Sequence, residues 1–271
     1  MVNQYCPIDA ELEEVIEETP TIKTFVLRPK TPVVFRAGQF VQITVPGLGE
    51  APFTPSSSPN VTDKLEVTVL RAGKLTEVMH EMKPGVTMGV RGPFGKGYPM
   101  DKLYGKEVLV VGGGVGLAPL RSLILAMMDE IGKFKKLSIK YGAKSPAELV
   151  YQNAFENWAK KKGVDMALTV DMASPGWSGK VGVVTVLLDG LGVDIPNAYA
   201  VSCGPEIMLK FVTLRLLELG FKPEHIYLSM NRKMSCGMGK CGRCNVGHLY
   251  LCKDGPDVCY AEVQHVPDLF G

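Results

Sequence analysis

The second half of the sequence alternates apolar, strand-like segments with helical ones, and this order restricts the possible folds more than any other feature. The pattern predicts strands at 107–111, 136–141, 166–171, 198–202 and 226–230, and helices at 119–129, 146–161, 183–191 and 206–219. Buried strands that alternate with helices form parallel sheets covered on both faces. We therefore predict a doubly wound, parallel-sheet α/β domain over residues 104–230.

The first hundred residues follow a different pattern. Short apolar segments, several with a two-residue period, lie at 22–27, 40–45 and 65–70, separated by proline, glycine and serine. Short strands divided by such turns are typical of a small antiparallel barrel. We predict a β-barrel over residues 1–103, with one helical turn at 76–82. In a third segment, residues 231–271, glycine and cysteine replace the periodicity.

Charge and hydropathy exclude several classes of protein. The 271 residues include 30 basic and 28 acidic ones, without the basic surplus of nucleic-acid-binding domains, so we expect no nucleic acid. The first 20 residues carry acidic groups but no lysine or arginine, unlike a secretory signal, and we predict a cytoplasmic location. Segment 108–128 is long enough to cross a membrane. Its glycines at 112–114 and Pro119 favour a strand, a turn and a helix instead, and we expect no membrane span.

The cysteines are concentrated near the C-terminal end, where five of the seven fall within 24 residues. Without a secretion signal, clustered thiols are typical of a metal site rather than of disulfides. The spacing C-x4-C-x2-C is that of plant-type ferredoxins and predicts a [2Fe–2S] cluster. A four-cysteine zinc knuckle is the alternative, although such sites often show two C-x2-C pairs. The predicted ligands are Cys236, Cys241, Cys244 and Cys252, with Cys259 as the alternative fourth ligand.

Two glycine-containing turns follow predicted strands. The sequence GGGVGLAP, residues 112–119, opens a helix, and Cys203-Gly204-Pro205 follows a later strand. Helix N-termini attract phosphate, and ligands of open α/β sheets bind at the carboxyl ends of the strands. We predict that the two turns line one dinucleotide crevice. Because the spacing is not that of G-x-G-x-x-G, a tight turn without a ligand is the alternative.

The barrel contains a weaker pair of motifs. In Ala51-Pro52-Phe53-Thr54, an aromatic side chain lies next to a hydroxyl, as it would beside a flavin ring. Gly73 and Thr76 lie at a predicted helix start, where a diphosphate can bind. A loop followed by a helix N-cap explains the same residues equally well.

Taken together, the barrel, GGGVGLAP, CGPE and the cysteine spacing resemble the ferredoxin-NAD(P)+ reductase superfamily, in the branch with a C-terminal [2Fe–2S] segment. That branch includes sulfhydrogenase gamma subunits, one of the subunits of anaerobic sulfite reductase, and the electron-transfer subunit of dihydroorotate dehydrogenase B. The resemblance implies FAD, a [2Fe–2S] cluster and NAD(P)H. It also implies a diaphorase subunit in a hetero-oligomeric complex, whose redox partner subunit is an iron–sulfur protein of hydrogenase or sulfite-reductase type.

Three alternatives to this function stay open. The chain could serve dihydroorotate dehydrogenase B, or act alone as an NAD(P)H:ferredoxin or flavin reductase. From a different class, it could be a zinc-stabilised binding module without redox chemistry. The lack of any substrate-specific catalytic residue favours the electron-transfer subunit, and no acid–base residue is expected, because hydride transfer to a flavin depends on stacking and distance.

The resemblance also assigns cofactor contacts. The family's flavin motif R-x-Y-[ST] falls on residues 51–54, where the arginine and the tyrosine are replaced, and Arg71 can supply the missing charge. Phe270 is given no role in shielding the flavin. The implied flavin contacts are Phe53, Thr54, Val69, Leu70, Arg71, Gly73, Leu75 and Thr76. The implied NAD(P) contacts are Gly113, Gly114, Gly116, Pro119, Cys203, Gly204 and Pro205.

Two charged features concern specificity. Asp171 at a strand end can bond a ribose hydroxyl and would repel a 2′-phosphate, which favours NAD, although it can equally be a surface turn residue. The charged residues between 230 and 243 are all basic, and we predict that they dock an acidic patch on the partner; alternatively, they only neutralise their own cluster. These residues are Arg232, Lys233, Lys240 and Arg243.

Overall fold

The computed structural model describes residues 3–270 and divides the chain into two compact units. Each unit gathers segments that are distant in sequence. The first contains residues 1–98, 121–126 and 231–256, and the second contains residues 99–120, 127–230 and 257–271. The domain boundaries drawn from the sequence stay predictions.

The first unit is built on six antiparallel strands. They are β1 (Ile8–Thr19), β2 (Ile22–Pro29), β3 (Phe40–Val45), β4 (Gly49–Phe53), β5 (Leu65–Leu70) and β6 (Thr87–Phe94). Their order is β4-β3-β6-β1-β2-β5. Pro55, just after β4, pairs with Val67 of β5, so the two edges of the sheet meet. The predicted antiparallel barrel is confirmed, and its helical turn is α1 (Lys74–His80).

Strands β3 and β6 of the barrel bury residues on both of their faces. Val41 and Ile43 of β3 and Val90 of β6 point into the apolar core. Successive side chains of a strand point to opposite faces, so Gln42 and Arg91 lie on the outer face. They are nevertheless only 1% and 5% exposed. Segment 231–256 belongs to the same compact unit and supplies one hydrogen-bond partner to each of them, as described below.

The second unit contains the parallel sheet. Its parallel strands are β7 (Glu107–Gly113), β8 (Lys136–Ala143), β9 (Val164–Val170), β10 (Lys180–Val181), β11 (Ala198–Cys203) and β12 (Ile226–Ser229). They are ordered β10-β9-β8-β7-β11-β12. The chain therefore moves outward from β7 and then returns to its other side with β11. The predicted doubly wound sheet is confirmed, and its topological switch point lies between β7 and β11.

The helices agree with the sequence in part. The second unit contains α2 (Met100–Leu103), α3 (Leu117–Asp129), α4 (Gln152–Lys160) and α5 (Glu206–Glu218). Segment 108–128 forms β7, a turn and α3 as predicted, and within residues 3–270 no helix is long and apolar enough to cross a membrane.

Two of the helix predictions need correction. The helix predicted at 183–191 is wrong, because only a 3-10 turn forms, at Val184–Leu187. Consecutive β-branched residues and Gly190 disfavour a longer helix there. The helix predicted at 146–161 begins later, because Tyr151 has a left-handed backbone (φ 60°) directly before α4.

The C-terminal part contains short elements only. A hairpin of β13 (Asn245–Val246) and β14 (Leu249–Tyr250) leads into α6 (Leu251–Asp254) in the first unit. In the second unit, β15 (Asp257–Cys259) pairs antiparallel with β12 at the edge of the sheet, and α7 (Tyr260–Val263) follows. Strand β15 is not predictable from the sequence, since three residues carry no measurable period.

Candidate cofactor sites

The four predicted cluster ligands form two thiol pairs. Cys236 lies beside Cys241, and Cys244 lies beside Cys252; Cys236 is also close enough to Cys252 to raise the pKa of that thiol. Cys244 and Cys252 are buried, whereas Cys241 is exposed. Over residues 3–270, the structure gathers no three cysteine, histidine or acidic side chains closely enough to bind a single metal ion. The structure thus brings the predicted ligands together two by two.

The fifth cysteine of this region lies in β15, in the second unit. The thiol of Cys259 donates to the carbonyl oxygens of Pro223 and Glu224, at 3.7 and 3.6 Å. These partners are main-chain groups of the same unit, so local contacts already account for this thiol.

Backbone N–H groups of the cysteine loop, residues 236–244, point at two of the sulfurs. The amides of Met238 and Lys240 donate to Cys236 Sγ at 3.4 and 3.3 Å, and the amide of Gly239 donates to Cys252 Sγ at 3.0 Å. Gly237, Gly239 and Gly242 all have positive φ angles, 70–78°, a conformation that glycine adopts without steric cost. The interleaved glycines therefore let the loop turn its amides towards the thiolates.

The two thiol pairs differ in electrostatics. Burial raises the pKa of the Cys236 thiol, but the amides of Met238, Cys241 and Lys240 together bring it down to about 6. Burial raises the pKa of Cys252 to about 12, with a further increase from Cys244. Because a metal binds the thiolate, Cys236 is ready to ligate at neutral pH. Cys252 must release its proton to solvent when a metal binds.

Side chains of the barrel hold the backbone of the cysteine loop and of the residues just before it. Gln42 Nε2 donates to the Met234 carbonyl at 2.5 Å, and Arg91 Nη1 donates to the Cys236 carbonyl at 3.3 Å. A Cβ on Gly237 would lie 2.8 Å from the Phe94 ring. No sequence signal marks Gln42 or Arg91 for this role, because polar residues on the outer face of a strand ordinarily face solvent.

The two predicted dinucleotide turns meet at the switch point of the parallel sheet. Gly112 at the end of β7 is paired in register with Cys203 at the end of β11. Ligands of open α/β sheets bind in the crevice at such a point. Burial raises the pKa of the Cys203 thiol to about 12, so Cys203 is a neutral, structural thiol at physiological pH.

Three of the glycines in these turns are packed closely by the chain itself. A Cβ on Gly116 would lie 2.4 Å from the Cys203 carbonyl oxygen, and one on Gly113 or Gly204 would lie 2.2 or 2.6 Å from Met208 Sδ. Gly114 differs, because its Cα faces open space and its φ is +54°. Of these glycines, Gly114 alone leaves its backbone open to a ligand.

Two residues outside the predicted motifs complete this turn. Met208 on α5 packs against both glycine turns. Tyr141 on β8 is fully buried, and its hydroxyl donates to the Gly114 carbonyl at 3.1 Å. Neither residue stands out in the sequence, because a methionine in a helix and a tyrosine in a strand are ordinary core residues.

The surroundings of this turn suit an anionic ligand. The N-cap residue of α3 is Gly116, which has no side chain to cap the helix, and helix N-termini attract phosphate. Asp171 follows β9 at the same edge of the sheet and is exposed. Its amide donates to the Ala143 carbonyl at 2.9 Å, which leaves its carboxylate at the surface.

The predicted flavin residues lie on elements of the barrel that contact each other. Phe53 ends β4, Leu70 ends β5, and β4 contacts both β5 and α1. Phe53 is half-buried, Val69 is buried, and Leu70 and Arg71 are exposed. The structure thus gathers the aromatic residue, the strand end and the helix start at one place.

The start of α1 is held by its own side chain. The Thr76 hydroxyl accepts from the amides of Ala72 and Gly73, at 2.9 and 3.0 Å, and donates to the Gly73 carbonyl. This is the capping role anticipated as the alternative for these residues. Arg71 lies 3.5 Å from Glu81 in an exposed ion pair, which leaves its guanidinium accessible to a phosphate.

Comparison with known families divides the chain into three parts. Residues 9–98 match the oxidoreductase FAD-binding domain, and residues 110–213 match the oxidoreductase NAD-binding domain. Residues 231–264 match the iron–sulfur cluster binding domain of dihydroorotate dehydrogenase B. The chain therefore carries FAD-binding, NAD-binding and iron–sulfur domains.

Relatives match over nearly the whole chain. Sulfhydrogenase 2 subunit gamma of Pyrococcus furiosus is 37% identical over 280 residues, 96% of either chain. A probable dihydroorotate dehydrogenase B (NAD+) electron transfer subunit of Methanocaldococcus jannaschii is 34% identical, over 92% of this chain and 88% of its own.

The solved structures agree with this fold. The structure of an NADH-dependent reduced ferredoxin-NADP oxidoreductase is 28% identical, with a TM-score of 0.78 over 94% of this chain and 89% of its own. A ferredoxin NADP+ reductase from Neisseria gonorrhoeae, 22% identical with a TM-score of 0.68 over 84% of this chain and 94% of its own, shares the fold. The resemblance and the fold class predicted from the sequence are confirmed.

Proposed function

This chain belongs to the family of sulfhydrogenase gamma subunits and dihydroorotate dehydrogenase B electron-transfer subunits, and from this premise we propose that it is a diaphorase subunit containing FAD and a [2Fe–2S] cluster. When bound, FAD exchanges a hydride with NAD(P)H and single electrons with the cluster. The chain's own residues bind and orient the cofactors, and we assign no general acid or base.

The observation that carries the proposal is the pairing of the four thiols. A [2Fe–2S] cluster binds two thiolates at each iron, whereas zinc takes all four thiolates around one ion. The neighbouring pairs Cys236 with Cys241 and Cys244 with Cys252 are compatible with the first arrangement, and the spacing C-x4-C-x2-C favours it. The loop amides that donate to Cys236 and Cys252 offset the negative charge of thiolates and sulfides.

Residue roles follow from the same geometry. We propose that Phe53 and Thr54, beside the ends of β4 and β5, contact the flavin ring. The remaining flavin contacts stay as the resemblance implies them. We propose that the accessible backbone at Gly114 and the start of α3 bind the phosphates of the dinucleotide. Gly113, Gly116 and Gly204 instead shape the turn, because they pack closely against other residues of the chain.

Metal analysis of the anaerobically purified full chain tests the cluster. We expect about two irons per chain, little zinc, and an absorption spectrum with both flavin and iron–sulfur bands. Stoichiometric zinc without iron would overturn the proposal and support the zinc-stabilised binding module. Iron without flavin would show that the assignment of the barrel is wrong.

The partner subunit is proposed as the iron–sulfur subunit of a cytoplasmic hydrogenase, because two relatives named sulfhydrogenase gamma subunits, 37% and 35% identical, match 96% or more of this chain. Dihydroorotate dehydrogenase B is the second candidate, favoured by the match of residues 231–264. Affinity purification from native lysate, followed by identification of the co-purifying subunit, decides between them. A chain that purifies alone and reduces ferredoxin rapidly would support the stand-alone reductase.

We also propose NAD rather than NADP as the nucleotide. The exposed Asp171 carboxylate at the end of β9 would repel a 2′-phosphate. The kcat/KM for NADH should therefore exceed that for NADPH, and Asp171→Asn should narrow the ratio. An unchanged ratio in this variant would make Asp171 a surface turn residue.

A further inference from the structure

An ion pair between a buried arginine and a partly exposed glutamate lies on the outer face of the barrel, beneath the cysteine loop. Arg91 on β6 donates through Nε and Nη2 to the two carboxylate oxygens of Glu50 on β4, at 3.0 and 2.7 Å. The Arg91 side chain is 6% exposed and that of Glu50 is 29% exposed. Such a two-pronged pair fixes the plane of the guanidinium group.

The free edge of this guanidinium reaches the main chain around the first cluster ligand. Arg91 Nη1 donates to the carbonyl of Cys236 at 3.3 Å and to the carbonyl of Gln4 at 3.0 Å. Its guanidinium also lies 5.2 Å from the centre of the Phe94 ring, and this ring packs against Gly237. One charged side chain is therefore in contact with a ligand residue and with the packing beneath the next residue.

Stability alone does not account for this arrangement. Burying the Arg91 guanidinium costs desolvation energy that its attraction to the partly exposed Glu50 only partly offsets, and an apolar residue of similar volume often serves as well. The contact with Cys236 is specific, however. Because C=O and N–H of a trans peptide point in opposite directions, the Arg91 contact fixes the orientation of the peptide that leaves the first ligand.

We propose that Arg91, held by Glu50, is a positioning residue for the iron–sulfur site, and that the charge balance of this pair sets the reduction potential of the cluster. This inference rests on the proposed function in one respect, namely that a cluster is bound by the cysteine loop. Reduction adds one negative charge to the cluster, so a nearby cation favours the reduced form and a nearby anion disfavours it.

The two members of the pair consequently have opposite expected effects. Arg91→Gln keeps N–H donors but removes the cation next to Cys236, which disfavours reduction. Glu50→Gln keeps hydrogen-bonding oxygen and nitrogen atoms near Arg91 but leaves its positive charge uncompensated, which favours reduction. Loss of structural support alone would not produce opposite signs.

The test is an EPR-monitored redox titration of the full chain, purified anaerobically with its cofactors. We expect Arg91→Gln to change the one-electron reduction equilibrium about tenfold towards the oxidised cluster, which is 59 mV. Glu50→Gln should shift it in the opposite direction. The matched control is Arg28→Gln, which removes an exposed barrel arginine paired with Glu13 and should leave the potential unchanged.

The outcomes are distinguishable. Unchanged potentials, or shifts of both variants in the same direction, with normal iron content would overturn this inference and leave the proposed function intact. Zinc in place of iron in the unmodified chain would overturn the proposed function, and this inference with it. If Arg91→Gln loads no cluster, Glu50→Gln decides alone: a raised potential supports the inference and an unchanged one overturns it.

Discussion

The glycine turn after β7 and the cysteine loop both depend on glycine, but they are held in place by different means. In the glycine turn, Gly116 lies very close to the backbone of β11, the neighbouring strand in the sheet. A Cβ on Gly116 would lie 2.4 Å from the carbonyl oxygen of Cys203. In the cysteine loop, Arg91 reaches a carbonyl 145 residues away in sequence. Gln42 reaches one 192 residues away, just before the loop.

This difference shows which contacts fix the conformation of each site. The glycine turn is held mainly by close packing against the backbone at the end of β11, with Met208 and Tyr141 as supporting side chains, so its conformation is part of the parallel-sheet fold. The cysteine loop is short and lacks a core of its own, so it takes its conformation from barrel side chains. Substitutions in the two regions should therefore have separable effects on NAD(P)H binding and on the cluster.

The largest effect is expected for Cys241→Ser. Removal of one thiolate from the exposed pair should abolish the cluster, whereas reduction of the flavin by NAD(P)H should be retained because the hydride is transferred elsewhere. Iron content and stopped-flow absorbance measure the two properties. Cys259→Ser is the matched control and should change neither. Loss of flavin reduction in Cys241→Ser, with normal FAD content, would show that the two regions are not separable.

A methyl group at Gly116 should damage the nucleotide site and spare the cluster. The backbone atoms of Cys203 cannot rotate away as a flexible side chain would, so Gly116→Ala should destabilise the protein by about 3 kcal/mol and raise the KM for NADH. Gly132→Ala, where a Cβ meets nothing within 4 Å, is the control. Thermal unfolding and steady-state kinetics measure both effects, and a Gly116→Ala protein equal to its control would contradict the packing argument.

Gly237→Ala should have the opposite effect, in that it should weaken cluster binding and spare the nucleotide site. Its Cβ would meet the Phe94 ring at 2.8 Å in a residue with φ +78°, which costs about 1–3 kcal/mol. Gly242 also has a positive φ, +74°, but a Cβ there would meet nothing within 4 Å. Gly242→Ala is therefore the control, because it has the backbone strain without the contact with Phe94. We expect faster loss of iron on gel filtration from Gly237→Ala than from Gly242→Ala, with unchanged KM for NADH. Equal losses would mean that the barrel does not support the loop.

The smallest effect is expected at the surface. If the basic residues dock an acidic partner, Arg232→Glu with Lys233→Glu should slow partner reduction about tenfold at low salt, and the difference should shrink as salt rises. The control pair is Lys161→Glu with Lys162→Glu, two exposed lysines at the end of α4. If the double variant at Arg232 and Lys233 reduces the partner at an unchanged rate, with the cluster intact, these charges only neutralise their own cluster.

Sequence periodicity was sufficient for most of the fold, because alternating strands and helices have few packing solutions. It failed at residues 183–191, because the apolar pattern of this segment is compatible both with a buried helix and with a loop that packs on the sheet. It also missed β15, which forms because a sheet edge is available to it and not because of its own sequence. Short elements that depend on distant partners carry little local information.

For the sites, the sequence predicts groups that would contact ligands, but it does not indicate the residues that hold those groups in place. Cysteine spacing and glycine triplets are visible because the chemistry requires them in a fixed order. Tyr141, Met208, Gln42 and Arg91 act through tertiary contacts, and no local pattern distinguishes them from ordinary strand or helix residues.

The central claim is that NAD(P)H, a flavin and a two-iron cluster act in series within this one chain. Anaerobic titration of the purified protein with NADH, followed by absorbance and EPR together, tests it most directly. We expect flavin bleaching and an iron–sulfur signal that grows to about one unpaired electron per chain. Flavin bleaching without any cluster signal, in a protein whose cluster is reduced by dithionite, would contradict the claim.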